Sequence, residues 1–265
     1  MKKFELTNEF VVNVFGNKLF RVRALVAFGS VKAGEQGGYV EKEENLSQTG
    51  NAWVSGNARV YGNAWVSGNA WVYGKAEVSG NARVCDNARV SGNAEVYGDA
   101  WVSGNAWVYG DARVSGNAEV YGYAWVSGNA WVYGKAEVSG DAEVSGNAWV
   151  YGKAEVSGDA EVYGDAQVYG KAEVSGDAQV SGDARVSGDA RVSSNADYAT
   201  VKGFGCINRN TTFFRCKGGK VRVVCGRVFG DLEEFRAIVK RTHGDGRMAK
   251  EYLAIVDLME THFKG

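Results

Sequence analysis

An all-β solenoid of stacked parallel strands is the fold class this chain predicts, and three observations predict it. A six-residue unit, Asn/Asp/Lys-Ala-x-Val-Ser/Tyr-Gly, runs 24 times from Asn51 to Ser194 without one insertion. So small a unit cannot bury its own apolar face and must stack on its neighbours. Within it, Ala and Val lie two residues apart and share one side of an extended strand, while x and Ser/Tyr share the other. The 265 residues also include 37 Gly and no Pro, which suits an unbroken ladder with a conformationally free residue at each corner.

Residues 1–50 read as an N-terminal β cap. Apolar and polar residues alternate through Phe10-Val11-Val12-Asn13-Val14-Phe15, a turn falls at Gly16-Asn17, and the pattern resumes as Leu19-Phe20-Arg21-Val22-Arg23-Ala24-Leu25-Val26. An open solenoid end exposes unpaired backbone and bare core, so a capping hairpin is expected there. Residues 51–198 are the solenoid. Gly and the residue after it leave only two positions for a corner, which turns the chain by about a third of a circle. Three hexads then close a triangular coil of 18 residues, giving about eight coils; a flattened 12-residue coil divides the repeat equally well. Residues 199–265 read as a small ββαα domain. Thr211 to Cys216 and Val221 to Cys225 flank Lys217-Gly218-Gly219-Lys220, a hairpin signal. Asp231 followed by Glu234 is a capping box for a helix with Leu232, Phe235, Ile238 and Val239 inward. A second helix from about Gly246 carries Met248, Tyr252, Ile255, Val256, Met259 and Phe263 on one stripe.

Charge follows the same divisions. Residues 1–50 carry 7 Lys/Arg against 6 Asp/Glu, residues 51–194 carry 10 against 17, and residues 195–265 carry 13 against 8. An acidic rod thus bears a basic end domain. Lys2 and Lys3 are followed by Glu5, Asn8 and Glu9 where a signal peptide would be apolar, and no run of 18 apolar residues occurs. Four irregularly spaced cysteines make no disulfide framework. A cytoplasmic protein is the expectation.

Read from Val, the unit Val-Ser-Gly-Asn-Ala-Trp resembles the hexapeptide signature of left-handed parallel β-helices, a family best known for trimeric acyltransferases. Gly37-Gly38-Tyr39-Val40 leading into Glu44-Asn45-Leu46-Ser47, with the array behind it, is similar to uncharacterised hexapeptide-repeat proteins of bacteria and their prophages. The resemblance implies a left-handed winding, an acyltransferase label, or a host-directed inhibitor or counter-defence role in a host cytoplasm. Acyl transfer needs a base, generally a histidine near the coil surface. The repeat has none: His243 and His262 both lie in the last 23 residues. No enzymatic activity, catalytic residue, metal or cofactor is therefore expected.

The outward x positions sort into three columns at a spacing of 18. The first holds Trp53, Trp71, Arg89, Trp107 and Trp125 before Glu143, Glu161 and Gln179; the second holds Arg59, Glu77, Glu95, Arg113, Trp131, Trp149, Gln167 and Arg185, with Tyr133, Tyr151 and Tyr169 beside it. The third stacks Glu119, Glu137, Glu155 and Glu173, with Lys135, Lys153 and Lys171 two residues before the last three as countercharges. By this phasing all eight tryptophans lie outside the core. Rows of exposed rings mark a surface for a protein partner or a homo-oligomer, although rings on neighbouring coils also pack on one another. The candidate set is Trp53, Trp71, Arg89, Trp107, Tyr121, Tyr123, Trp125, Trp131, Tyr133, Trp149 and Tyr151, densest from Tyr121 to Tyr133, where Tyr123 replaces the corner Asn. Phe213, Phe214, Arg215, Lys217, Lys220, Arg222 and Arg227 form a second set, basic groups beside aromatics that could grip a nucleic acid or nucleotide. Cys206, Cys216, Cys225 and His243 could hold zinc, though no Cys-x-x-Cys pair occurs. Flat Thr arrays of the kind that bind ice are absent.

Overall fold

The computed structural model describes residues 1–204 and 209–264. Its centre is a parallel β-solenoid whose 24 short strands, β4 (Trp53–Val54) through β27 (Arg191–Val192), stack into three sheets. Trp53 pairs with Trp71, Arg59 with Glu77 and Trp65 with Arg83, each a shift of 18 residues. That register selects the triangular coil over the flattened one. Every hexad Ala and Val is at most 1 % exposed, so the interior is two stacked columns of small and branched side chains per sheet. Burying one Val contributes on the order of 1.5 kcal/mol, and the ladder repeats that gain at each strand.

Glycine makes the corners possible. Gly122 has φ +73°, and a Cβ there would stand 2.9 Å from both the amide nitrogen and the carbonyl oxygen of Gly140 on the next coil. Both the positive φ and the close approach of successive corners require the missing side chain.

The N-terminal cap is larger than a hairpin. β1 (Phe4–Val12) and β2 (Lys18–Ala24) are antiparallel, but β3 (Gln36–Val40) also joins, pairing antiparallel with β2 and parallel with β5 (Arg59–Val60). Residues 36–50 thereby add a ninth, irregular turn, and β1 to β3 extend one solenoid sheet to 11 strands. Val14 and Phe15, expected in the first strand, lie beyond its end in the exposed turn. The cap also supplies donors to the first coil's unpaired carbonyls. Lys3 Nζ donates to Ala52 O at 3.0 Å, and Asn45 Nδ2 donates to Ala64 O at 2.8 Å and Gly62 O at 3.1 Å. Burial lowers the pKa of Lys3 to about 8.

The C-terminal domain has four antiparallel strands where the sequence suggested two. β28 (Tyr198–Phe204), β29 (Arg209–Arg215), β30 (Val221–Cys225) and β31 (Val228–Asp231) lie in that order, followed by α1 (Leu232–His243) and α2 (Arg247–Phe263). The capping box holds as read, with Asp231 Oδ1 accepting from Glu234 N and Glu234 Oε2 from Asp231 N, both at 2.8 Å. Phe235 and Val239 are buried, and the stripe of α2 packs on the sheet as expected, with Met248 only half-buried. The sheet has two dry sides. Phe214, Cys216 and Val224 join the solenoid core, while Phe213, Val223 and Cys225 join a second core with the helices. The domain therefore closes the end of the rod. Arg185 N of the last coil donates to Thr212 Oγ1 at 3.0 Å, and Lys217 N donates to Asp189 O at 3.1 Å.

Candidate functional site

Three outer faces result from the coil. The first carries the Trp53 column, the second the Arg59 column and the third the Trp65 column, as the sequence spacing arranged them. On the second face, five rings run in continuous contact. Trp131 lies 4.9 Å from Tyr133 and 5.7 Å, edge-on, from Trp149. Tyr133, Tyr151 and Tyr169 stack nearly parallel, at 4.9 and 5.0 Å between centroids. Burial raises the pKa of Tyr133 and Tyr151 above the ordinary phenol value.

The first face has a shorter group: Trp107 meets Trp125 edge-on at 5.8 Å, Tyr109 lies 5.0 Å from Trp107, and Arg89 sits over Trp107 at 5.9 Å. Tyr109 was not singled out from sequence, and Tyr169, placed beside the second column, was left out of the candidate set. The signal that finds them is the second outward column, Ser/Tyr, read at the same spacing of 18.

Part of each ring is spent on the coil below it. Trp107 Nε1 donates to Ser91 Oγ at 3.1 Å and Trp131 Nε1 to Ser115 Oγ at 3.2 Å. Ser91 and Ser115 are buried, as are Ser67 and Ser127, which lie under Arg83 and Glu143 instead. At these two positions the tryptophan at x reaches the serine two residues past the x position of the preceding coil, whereas Trp125 and Trp149 meet Tyr109 and Tyr133 there. Cys85 takes that serine's place under Trp101, accepting its Nε1–H at 3.0 Å, and burial raises its thiol pKa.

Several expectations need correction. Trp53 is 1 % exposed, lying edge-on to Phe28 at 5.4 Å beneath the N-terminal cap. It is a core residue, because the cap extends over the first coil of its column. The stretch from Tyr121 to Tyr133 is dense in sequence but winds round all three faces: Tyr121 lies on the third, Tyr123 on a corner, Trp125 on the first, and Trp131 and Tyr133 on the second. Tyr123, 61 % exposed, is the most open ring of the solenoid. Among the described residues no ion pair joins Lys135, Lys153 or Lys171 to the glutamates that follow them; Glu173 pairs with Arg191 at 3.1 Å instead. The lysines stand on the corner, where the backbone turns away from the face.

In the C-terminal domain Phe213 and Phe214 are both fully buried, one on each side of the sheet. Neither ring can stack on a base. Arg215 pairs with Asp197 at 3.1 Å and Arg222 with Glu234 at 3.4 Å, leaving Lys217, Lys220 and Arg227 exposed. Cys216 and Cys225 face opposite cores and cannot share one metal ion, and Cys206 lies outside the described residues. Burial, with Asp189 nearby, pushes the Cys216 thiol up to about 12.

Stacked parallel coils with a six-residue sequence period, closed by a cap at each end, define a β-solenoid repeat protein. The chain is similar to the family model of the YdcK beta solenoid repeat at residues 52–68, 58–74, 82–98, 112–128 and 178–194, all within the coils. No curated protein matches it. No described helix is long and apolar enough to cross a membrane.

Proposed function

We propose that this chain is a non-enzymatic scaffold that presents its aromatic faces to a protein partner or to a second copy of itself. The observation that carries the reading is the run of five touching rings, Trp131, Tyr133, Trp149, Tyr151 and Tyr169, on one flat face. Rings held in rows by a rigid backbone lose little freedom on contact and offer large amphipathic area, which is why Trp and Tyr dominate interface hot spots. Trp149 remains 39 % exposed although it touches its neighbours. A host-directed role, as inhibitor or counter-defence protein, has only the sequence resemblance behind it.

The experiment is light scattering of the purified chain beside a Trp131→Ser/Trp149→Ser variant. An assembly larger than the 28.5 kDa monomer that dissociates in the variant supports the face as a self-association surface. A monomer in both leaves the face open to a different protein. An oligomer unchanged in the variant puts the contact elsewhere and overturns the assignment, and turnover of an acyl donor would overturn the non-enzymatic reading.

A further inference from the structure

A cleft of about 660 Å³ opens on the first face where the N-terminal cap stops. Trp53 lies under the cap, so Trp71 on the next coil is the first indole of its column to emerge. Ser30, on the cap loop, forms one wall; Trp71 and Arg89 form the floor; Asn69, Asn87 and Asn105 line the adjoining corner. Nothing in the aromatic contact surface accounts for this hollow, which lies nearer the N-terminal end of the rod.

Its chemistry is specific. Asn69 Nδ2 donates to Asn87 Oδ1 at 3.0 Å, and Asn87 Nδ2 to Asn105 Oδ1 at 3.1 Å. Each such bond uses one of an amide's two N–H groups and one of its carbonyl's two lone pairs. The corner therefore offers a donor and an acceptor at every coil, about 4.8 Å apart, the combination that hydroxyl groups satisfy from either side. Arg89 is exposed and, among the described residues, has no carboxylate within ion-pair distance; Arg83 and Arg185 on the other faces are likewise unpaired, but of the three only Arg89 lines this cleft. Its guanidinium, braced over Trp107, is a free fork for one carboxylate. The half-buried indole of Trp71 beside it suits the apolar face of a pyranose ring.

Other ligand classes fit less well. The solenoid carries seven more acidic than basic groups over residues 51–194, which repels a polyanion such as a nucleic acid. An extended peptide would need a free strand edge, and the two strands that carry Trp71 and Arg89 each have a partner on both sides. We propose that the cleft binds an oligosaccharide containing a uronic acid: a sugar ring on Trp71, its carboxylate on Arg89, and hydroxyls on the Asn69, Asn87 and Asn105 amides.

The test is calorimetric titration of the full chain with a hyaluronan tetrasaccharide, with neutral cellotetraose and with a single-stranded oligonucleotide as comparisons. Saturable binding of the acidic sugar, at least about tenfold weaker for Arg89→Gln and for the neutral sugar, is the expected result; tenfold is the loss of one charge-assisted contact of about 1.4 kcal/mol. Trp71→Ser should abolish binding. Arg89 is exposed, so its variant keeps the fold even if Trp71→Ser does not. No saturable heat with either sugar, equal affinity for both, undiminished binding in Arg89→Gln, or preference for the oligonucleotide would each overturn the proposal.

Discussion

At the scale of single residues, the corner glycines separate two costs that usually travel together. Gly122 and Gly182 both have positive φ, but a Cβ at Gly182 meets nothing within 4 Å, whereas at Gly122 it meets the next corner at 2.9 Å. Gly182→Ala should lose about 1 kcal/mol, the left-handed penalty alone, and Gly122→Ala at least about 1 kcal/mol more, measured by denaturant melts. Equal losses would show that corner spacing relaxes freely. Asp197 is the second informative residue. Burial opposes its charge, but bonds from Ser193 N at 3.0 Å, Ser193 Oγ at 2.7 Å and Ser194 N at 3.1 Å prevail and hold its pKa below the usual carboxylate value. A carboxyl depressed by folding contributes stability that is present above its unfolded pKa and lost as pH falls through the folded one. Asp197→Asn should therefore destabilise the chain at neutral pH, and the gap from wild type should close below the ordinary Asp range of about 3.9. A gap independent of pH would contradict the assignment.

At the scale of elements, the coil strands were legible in the sequence because their alternation is strict and their spacing constant; the three columns in the structure are those that a shift of 18 lays out. What escaped reading was contact between elements with no shared period. Trp53 follows the repeat as faithfully as Trp71, and only the placement of Phe28 on the cap decides that one is core and the other surface. Phe213 and Phe214 looked like a basic-aromatic hairpin, yet alternation along β29 sends one ring to the rod and the other to the helices. β31 follows β30 through a two-residue turn at Gly226-Arg227, with Gly226 at φ +62°, a glycine signal that was passed over, and the residues joining β28 to β29 lie outside the described ones; two of the four strands were missed. The ring-over-serine contact makes its own prediction. Ser115→Ala removes the acceptor of Trp131 Nε1 and should cost about 1 kcal/mol or less, while ring fluorescence shifts with the altered indole bond. An unchanged spectrum would mean the bond is not populated.

At the scale of the whole molecule, both ends of the rod are closed. Lys3 and Asn45 donate to carbonyls of the first coil, and Thr212 and Asp197 accept amides of the last. Deleting residues 199–265 should expose the Ala/Val interior and an open strand edge, giving concentration-dependent assembly in sedimentation; a monodisperse, cooperatively melting fragment would show that the C-terminal domain is not a cap. With the ends closed, the faces are what the rod has to offer another molecule, and the rings of the second face are the largest continuous feature on them. The most direct test immobilises the full chain and a Trp131→Ser/Tyr133→Ser/Trp149→Ser variant, matched for folding by circular dichroism, and compares what each retains from solution. The account predicts one protein species, the chain itself or another, held by the wild type and released by the variant. Equal retention by both would contradict it and reduce the rings to packing between coils.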